Sequence, residues 1–268
     1  MRFLITRPHE DAAPLANALQ AMGHETLIAP LMTIKQTEVW KFDSIPDCQA
    51  IAISSANGAR ALMTSLKEWP PPHRDWLQTL PIFCVGDATA EILAPLNLRR
   101  LYNAKGHGGD LAHLIAAQLH PDDGGIEYLC GRVTTENFAQ NLSQAGFDLR
   151  AQPLYDAVAA THLPLVLRQF LHEAVVQKCD KMPASSGAEK ISGAAASAVL
   201  MFSTRSLQIF EELIEQENST NLVTDLDLYC LSPTIAATAR LSYRNIFCAA
   251  RPNQAAMIEL IKGNAESI

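Results

Sequence analysis

Short apolar segments alternate along the chain with longer segments whose apolar residues recur every three or four positions. The short segments are rich in β-branched and aromatic residues. Their nearly continuous apolarity is typical of parallel strands that are buried on both faces. They predict strands over residues 3–6, 26–29, 50–54, 82–85, 128–130, 199–202, 228–231 and 245–249.

The longer segments predict amphipathic helices between these strands. The first, over residues 11–22, is followed by Gly23, and glycine favours the backbone conformation found just after a helix. Two further apolar stripes, before Gly146 and across residues 207–214, have the same helical spacing. Strands that alternate with helices indicate βαβ units, so the pattern predicts an α/β fold with doubly wound parallel sheets.

The pattern occurs twice in the chain. Residues 4–31 contain a strand, a polar turn, a helix, a glycine and a Pro-Leu pair, and residues 129–154 repeat that order. The Ser-rich and Ala-rich turns within residues 53–90 have counterparts within residues 202–236. The repeat predicts two similar α/β domains that face each other, with the function in the cleft between them.

The two copies differ in length and in how they would connect. The second copy is longer between residues 160 and 198, which predicts an insertion with a surface loop of small residues at 181–190. Two extended segments, 35–47 and 154–164, lie where chain crossings would fit. If both cross between domains, the first strand and helix belong with the C-terminal half, and the middle of the chain forms the second domain.

Composition and charge exclude several classes of protein. The chain of 268 residues has a formal net charge of −7 and no basic run, which argues against nucleic acid as a partner. It has no apolar run near the ~18 residues that a membrane span needs, and its first apolar segment is too short for a signal peptide. The six cysteines and eight histidines lack metal-ligand spacing. We therefore expect reduced thiols, a cytoplasmic location and no metal site.

Polar residues that could carry chemistry follow the ends of five predicted strands. In an open parallel sheet such turns gather at the carboxyl ends of the strands, and the helix N-termini there offer N–H donors to anions. Ser and Thr are also ordinary helix caps, so a purely structural role stays open for each turn. Five turns in two matched domains favour an anion-binding cleft. The turns are 54–58, 86–89, 131–134, 203–206 and 232–234.

Tyr155 differs from these residues because it lies in the second extended segment, where the first copy has Met32. Its phenol would face the cleft and could donate a proton or a hydrogen bond to a leaving group. A buried structural tyrosine with one hydrogen-bond partner is the alternative. The chain has no GxGxxG, GxxxxGK[ST] or GxSxG motif, and the glycines of 106–110 are better interpreted as a turn capped by Asp110.

In their order and spacing these motifs resemble the uroporphyrinogen-III synthase family. The resemblance extends from the first strand to residue 261 and omits only the insertion at 160–198. The family has a more glycine-rich stretch after Gly131, where this chain has Thr134 and Thr135. The matching segments are 4–8, Gly23 with 30–31, 54–58, 85–90, 129–132, 154–155 and 232–234.

The resemblance implies two α/β domains joined by a two-stranded linker. It implies a discontinuous first domain of 1–36 with 162–268, a second domain of 48–156, and linkers at 37–47 and 157–161. It also implies a monomer that needs no cofactor and that contacts the preceding enzyme of its pathway transiently.

The implied reaction belongs to tetrapyrrole (haem) biosynthesis. The family cyclises hydroxymethylbilane to uroporphyrinogen III, with loss of water and inversion of ring D. Departure of the hydroxyl would leave an azafulvenium cation, and closure through a spiro intermediate would invert the ring. The main task of the protein is then to orient the substrate, which agrees with the lack of a strong acid–base constellation.

By position, Tyr155 matches the tyrosine of the family and would assist departure of the hydroxyl. The eight carboxylates of the substrate suit a cleft of helix N-termini. Two other functions stay open: a ligand-binding or regulatory module without turnover, and a nucleotide-dependent α/β enzyme, which would need a phosphate loop. The implied substrate contacts are Arg7, Ser54, Ser55, Asn57, Gly86, Thr89, Gly131, Arg132, Ser203, Thr204, Ser232 and Thr234.

Overall fold

A computed structural model describes residues 1–134, 136–179 and 196–265. The predicted loop at 181–190 and Thr135 lie outside the described residues. The chain divides into two compact units, one formed by Met1–Thr33 with Ala159–Ile268 and the other by Ile34–Val158.

The strands are β1 (Arg2–Ile5), β2 (Glu25–Ile28), β3 (Met32–Gln36), β4 (Cys48–Ile53), β5 (Ile82–Cys84), β6 (Leu101–Asn103), β7 (Gly125–Gly131), β8 (Leu149–Ala159), β9 (Ser197–Met201), β10 (Asp227–Cys230) and β11 (Asn245–Cys248). The helices are α1 (His9–Ala21), α2 (Ala56–Glu68), α3 (Pro71–Leu77), α4 (Asp87–Leu93), α5 (Gly108–Gln118), α6 (Glu136–Gln144), α7 (Leu165–Cys179), α8 (Thr204–Gln216), α9 (Pro233–Ala236) and α10 (Gln254–Ala265).

Each unit is built on a sheet of mainly parallel strands. The first unit has the strand order β11-β10-β9-β1-β2, and its neighbouring strands are all parallel. The second sheet has the order β3-β8-β7-β4-β5-β6, with parallel pairing from β8 through to β6. The predicted α/β fold with doubly wound parallel sheets is confirmed.

Both faces of each sheet are buried, as the continuous apolar segments predict. Along β4, Ile51 and Ile53 pack into one apolar cluster, and Ala50 and Ala52 pack into another on the opposite face. Each of the eight predicted strands coincides with an observed strand. The apolar pattern did not predict β3, β6 and β8 as strands, although the predicted extended segments 35–47 and 154–164 overlap β3 and β8. Two of these, β3 and β6, lie at the ends of the second sheet, where partly exposed strands need fewer apolar residues.

The chain passes from one unit to the other within β3 and within β8. These strands are neighbours in the second sheet, and their hydrogen bonds show that they run antiparallel: the N–H of Thr37 donates to the carbonyl of Leu154, and that of Ala160 donates to the carbonyl of Leu31. The domain and linker bounds given above stay a prediction. The predicted insertion at 160–198 begins with a helix, α7, that the sequence pattern did not indicate.

The segment 37–47, a predicted linker, is fixed to the second unit through Trp40. This side chain is 4% exposed and packs against Trp69 with 5.3 Å between ring centroids. The Trp40 N–H donates to Ser65 Oγ at 2.9 Å, and its carbonyl accepts from Trp69 Nε1 at 2.6 Å. These bonds satisfy polar groups that burial would otherwise leave without partners.

Gly58 provides a test of how α2 packs on the second sheet. A Cβ atom at this position would lie 2.9 Å from the carbonyl oxygen of Leu129 and 3.1 Å from Ile53 Cγ2. We expect Gly58→Ala to lower the free energy of unfolding by about 1–3 kcal/mol, because the helix must move away from the strand. Urea unfolding of the purified protein measures this change.

Gly263→Ala is the matched control, because a Cβ atom there meets no heavy atom within 4 Å and the residue is also helical. We expect this change to be neutral or to stabilise by up to about 1 kcal/mol. Equal effects of the two substitutions would contradict the proposed close packing of α2.

Candidate functional site

In the second unit, the polar turns lie at the edge of the sheet where its parallel strands end. Four strands of this sheet lie side by side in the order β8-β7-β4-β5, and each runs parallel to the next. Their carboxyl ends therefore share one edge of the sheet. Ser54 and Ser55 follow β4, and Gly86 is the second residue after β5. Gly131 ends β7 and is paired in register with Tyr155 of β8. The sheet therefore gathers these residues by topology alone.

Ser55 and Tyr155 are in direct contact. Their hydroxyl oxygens are 2.8 Å apart, and Ser55 Oγ also accepts from the N–H of Gly58 at 3.1 Å, as the N-cap of α2. The predicted capping role of Ser55 is thus present together with a bond to the candidate catalytic phenol. Capping and chemistry are not exclusive alternatives at this position.

Gly131 makes room for the ring of Tyr155. A Cβ atom on Gly131 would lie 2.8 Å from Tyr155 Cε2 and 3.0 Å from Cζ, which is too close for any side chain. The next residue holds the same pairing, since the N–H of Arg132 donates to the Tyr155 carbonyl at 2.8 Å. A glycine at the end of β7 is therefore required by the position of the phenol.

The environment of Tyr155 keeps its phenol protonated. Burial raises the pKa above the ordinary value, and hydrogen bonds from Ser55 and from the backbone of Gly131 offset part of that increase. Such a phenol is a hydrogen-bond and proton donor at neutral pH. The two offsetting bonds are those that would stabilise a phenolate once the proton has left.

A second phenol, which the sequence analysis missed, lies beside Ser54. The hydroxyl oxygens of Tyr128 and Ser54 are 2.7 Å apart. Tyr128 is 2% exposed, packs on Phe138 with ring centroids 4.7 Å apart, and has its pKa raised to about 12 by burial. In the sequence it is one residue of an apolar strand, so nothing distinguishes it from an ordinary core aromatic residue.

The first turn of α2 also holds Asn57 and, one turn further, Arg60. The guanidinium of Arg60 donates from Nη1 to the Asn57 side-chain carbonyl at 2.7 Å. Arg60 was not among the predicted contacts, although its helical spacing from Asn57 could have indicated it. The pair adds a cation to this end of the helix.

The other predicted contacts of the second unit differ in exposure. Gly86 is the N-cap of α4 in an extended conformation, and Thr89, in the first turn, is 2% exposed. The Thr89 hydroxyl therefore has almost no access to solvent. Arg132 is exposed, and its Nε atom lies 3.9 Å from Asp156 Oδ2.

In the first unit, Arg7 follows β1 and is held from several sides. Its guanidinium carbon lies 4.4 Å above the ring centre of Phe202, and Nη1 donates to Gln254 Oε1 at 3.3 Å. Its Nη2 atom lies 3.9 Å from Asp11 Oδ2. The stacking and the hydrogen bond fix the direction of the cation.

Two serines of the first unit are helix caps. Ser203 Oγ accepts from the N–H of Ser206 at 3.1 Å at the start of α8, where Thr204 is the first helical residue. Ser232 Oγ accepts from the N–H of Ile235 at 3.4 Å at the start of α9, and Thr234 is exposed there. β1, β9 and β10 are parallel neighbours, so these turns share one edge with Arg7. Substrate contact by these residues stays a prediction.

The match to known proteins decides the family. The family model described as "Uroporphyrinogen-III synthase HemD" matches residues 13–259 of this chain. The chain belongs to the uroporphyrinogen-III synthase family. The resemblance inferred from the sequence motifs is thereby confirmed.

Relatives of this synthase family were found by sequence and by structure. A uroporphyrinogen-III synthase of Chlorobaculum parvum is 27% identical over 90 residues, a match that spans 34% of this chain and 37% of that relative. The uroporphyrinogen-III synthetase of Helicobacter pylori 26695 aligns with a TM-score of 0.60 at 15% identity, over 98% of this chain and all of that one. A mutant synthase of the extremely thermophilic bacterium Thermus thermophilus aligns with a TM-score of 0.57 at 12% identity, over all of both chains. The two structures support the fold.

Within residues 1–134, 136–179 and 196–265, no helix is long and apolar enough to span a bilayer. The same residues contain no group of three or more His, Cys, Asp or Glu side chains placed to hold a metal ion.

The buried Tyr128 predicts a pH dependence of stability in this member of the synthase family. Its pKa is about 12 in the folded protein, against about 10 for a tyrosine in an unfolded chain. The folded state holds this proton more tightly, so the stabilisation is complete below about pH 10 and is lost as the pH rises to about 12. Above about pH 10, the free energy of unfolding should fall more steeply with pH in the parent than in Tyr128→Phe. The difference between the two slopes should reach about 1.4 kcal/mol per pH unit.

Urea unfolding of both proteins at about pH 8, 10 and 11 measures the two slopes. Equal slopes above about pH 10 would show that Tyr128 titrates as an exposed tyrosine and would contradict its burial.

Proposed function

We propose that this protein is a uroporphyrinogen-III synthase, a cyclising lyase of tetrapyrrole biosynthesis. In this proposal it converts hydroxymethylbilane to uroporphyrinogen III and water, with inversion of ring D. Membership of the family supports the reaction. The observation that carries it is the contact between Ser55 and Tyr155 at the carboxyl edge of the second sheet.

Binding of the substrate carboxylates rests on helix N-termini and fixed cations. The first N–H groups of α2 and α8 have no acceptor within their own helices, and the serine caps satisfy only one in each. The remaining donors, with the positive end of the helix dipole, suit carboxylates. Arg7, Arg60 and Arg132 supply positive charge near these turns. A protein with a net charge of −7 needs such local features to hold a polyanion.

Departure of the substrate hydroxyl is the step that Tyr155 would assist. In the proposed arrangement Gly58 N–H donates to Ser55 Oγ, Ser55 O–H donates to Tyr155 Oη, and the phenol proton is left for the departing hydroxyl. The hydroxyl then leaves as water, and the phenolate is stabilised by Ser55 and the backbone of Gly131. This is general acid catalysis by a group that is protonated at neutral pH.

The remaining steps depend on orientation. The cation formed by loss of water must be attacked by the substituted carbon of ring D, so that ring closure passes through the spiro intermediate implied by the family. Carboxylate contacts that hold the other rings would fix this geometry. The reaction is a dehydration and cyclisation without redox change, so the proposal includes no cofactor. We further propose a cytoplasmic monomer, supported by free cysteines at five described positions and by the resemblance stated above.

A product-isomer assay tests the proposed function. The purified protein receives hydroxymethylbilane, the products are oxidised, and the type I and type III uroporphyrins are separated by chromatography. The bilane closes without an enzyme to type I, so heat-denatured protein provides the control. We expect predominantly type III. Type I alone from folded protein would overturn the synthase function and favour a binding module without turnover.

Tyr155→Phe tests the role of the phenol. The substitution removes the proton donor and keeps the ring against Gly131, so we expect kcat to fall about 10- to 100-fold with the urea midpoint nearly unchanged. Steady-state kinetics on hydroxymethylbilane measure the effect.

Tyr102→Phe is the matched control in the same unit, because its ring stacks on Phe83 at 4.9 Å and it lies outside the proposed machinery. We expect its kinetics to equal those of the parent. Unchanged kcat in Tyr155→Phe would remove this residue from the mechanism.

A further inference from the structure

We propose that Tyr128 is a positioning residue, which orients Ser54 and polarises its hydroxyl for binding a substrate carboxylate. The proposal rests on the proposed function, since it assigns a role within the same substrate site. It concerns a residue on a core strand that makes no direct contact with substrate in this scheme.

Ser54 and Ser55 point to opposite faces of the sheet. Ser55 has extended backbone angles, φ −158° and ψ 157°, so the side chains of Ser54 and Ser55 point in opposite directions. Tyr155, the partner of Ser55, packs against the apolar cluster that contains Ile53. Tyr128, the partner of Ser54, belongs to the cluster on the other face. Each hydroxyl is therefore held by a phenol from its own side.

The register between β4 and β7 places Tyr128 on the same face as Ser54. Tyr128 is paired with Ala52, and Ser54 lies two residues further on the same face. Two residues of a strand span about 6.6 Å, which a tyrosine side chain can cover. The phenol therefore reaches along the sheet to the turn, where its oxygen lies 2.7 Å from Ser54 Oγ. Phe138 packs against the ring and limits its movement.

Either oxygen of the Ser54–Tyr128 pair could donate, and the surroundings of Ser54 favour Tyr128 as the donor. The Gly58 N–H donates to Ser55 Oγ, which leaves the Ser55 proton for Tyr155. The described contacts of Ser54 Oγ include no such N–H donor, so the more acidic phenol of Tyr128 donates and Ser54 Oγ accepts. The proton of Ser54 is then left to donate to a carboxylate, and the chain of two hydroxyls strengthens that donation. Ser54 is half-buried and lies directly before the cap of α2, so this proton and the first N–H groups of the helix can converge on one anion.

In this arrangement Tyr155 and Tyr128 have different roles, which affect different kinetic constants. Tyr155 acts on the leaving hydroxyl, so its loss lowers kcat. Tyr128 acts through Ser54 on the bound carboxylate, so its loss raises KM. A tyrosine that only fills the core would change neither constant.

The test compares Tyr128→Phe, Ser54→Ala and the double variant with the parent. KM and kcat are measured with hydroxymethylbilane, and the Kd is measured by fluorescence titration with uroporphyrin III, which carries the same eight carboxylates. We expect each single substitution to raise KM and Kd about three- to tenfold, with kcat within twofold. Because the two hydroxyls act as one chain, the double variant should equal the worse single variant.

Tyr229→Phe is the matched control. Tyr229 is a buried tyrosine of the first unit whose hydroxyl accepts from Asn264 at 3.3 Å, outside the proposed site. Its KM and Kd should equal those of the parent. A similar rise in this control would attribute the effect to general loosening of the core and would overturn the proposal.

Several other results of these measurements would overturn the positioning role of Tyr128. Unchanged KM and Kd in Tyr128→Phe, or effects that add in the double variant, overturn the role of the phenol. If Tyr128→Phe does not fold, unchanged KM in Ser54→Ala overturns the proposal. If the parent makes no type III isomer, the proposed function fails and the uroporphyrin titration alone decides this inference. A parent that neither makes type III isomer nor binds uroporphyrin overturns both.

Discussion

The candidate site depends on the close approach of Tyr155 to the backbone at Gly131. The two residues are paired in register across β7 and β8, and the ring occupies the space that a Cβ atom of Gly131 would need. From this position the phenol reaches Ser55 at the start of α2. The lack of a side chain at Gly131 thus lets Tyr155 contact both the end of β7 and the cap of α2. Tyr155 is the only group given an acid role in the proposed reaction.

The same edge shows how one hydroxyl serves both stability and chemistry. Ser55 accepts from the helix N–H of Gly58 and still has a proton to donate to Tyr155. Ser54 also bonds to a phenol, that of Tyr128, but in the proposed arrangement it is the acceptor. These bonds satisfy half-buried serine hydroxyls, and they also fix the directions in which protons remain available. Structural capping and substrate contact are therefore compatible at the same serine.

The protein has a net negative charge, although the substrate proposed for it is a polyanion. Individual arginine side chains supply positive charge locally, although the net charge of the protein is negative. Arg7 is fixed by Phe202 and Gln254, and Arg60 is fixed by Asn57 at the start of α2. Held cations and oriented N–H groups act over a few ångströms, whereas the overall charge is screened over about 8–10 Å. Orientation of these groups matters more for selectivity than the net charge does.

Much of the fold and part of the candidate site follow from the sequence alone. Continuous apolar segments predicted the buried strands, because strands covered on both faces leave few positions for polar residues. The repeated turns predicted where Ser55, Ser203 and Ser232 lie, because caps have local sequence rules. The partners of those residues were not predictable. Tyr128 has the same pattern as any core aromatic residue, and only the parallel register of β4 and β7 brings its phenol to Ser54. Contacts between residues distant in sequence depend on strand order and register, and only the tertiary structure decides these.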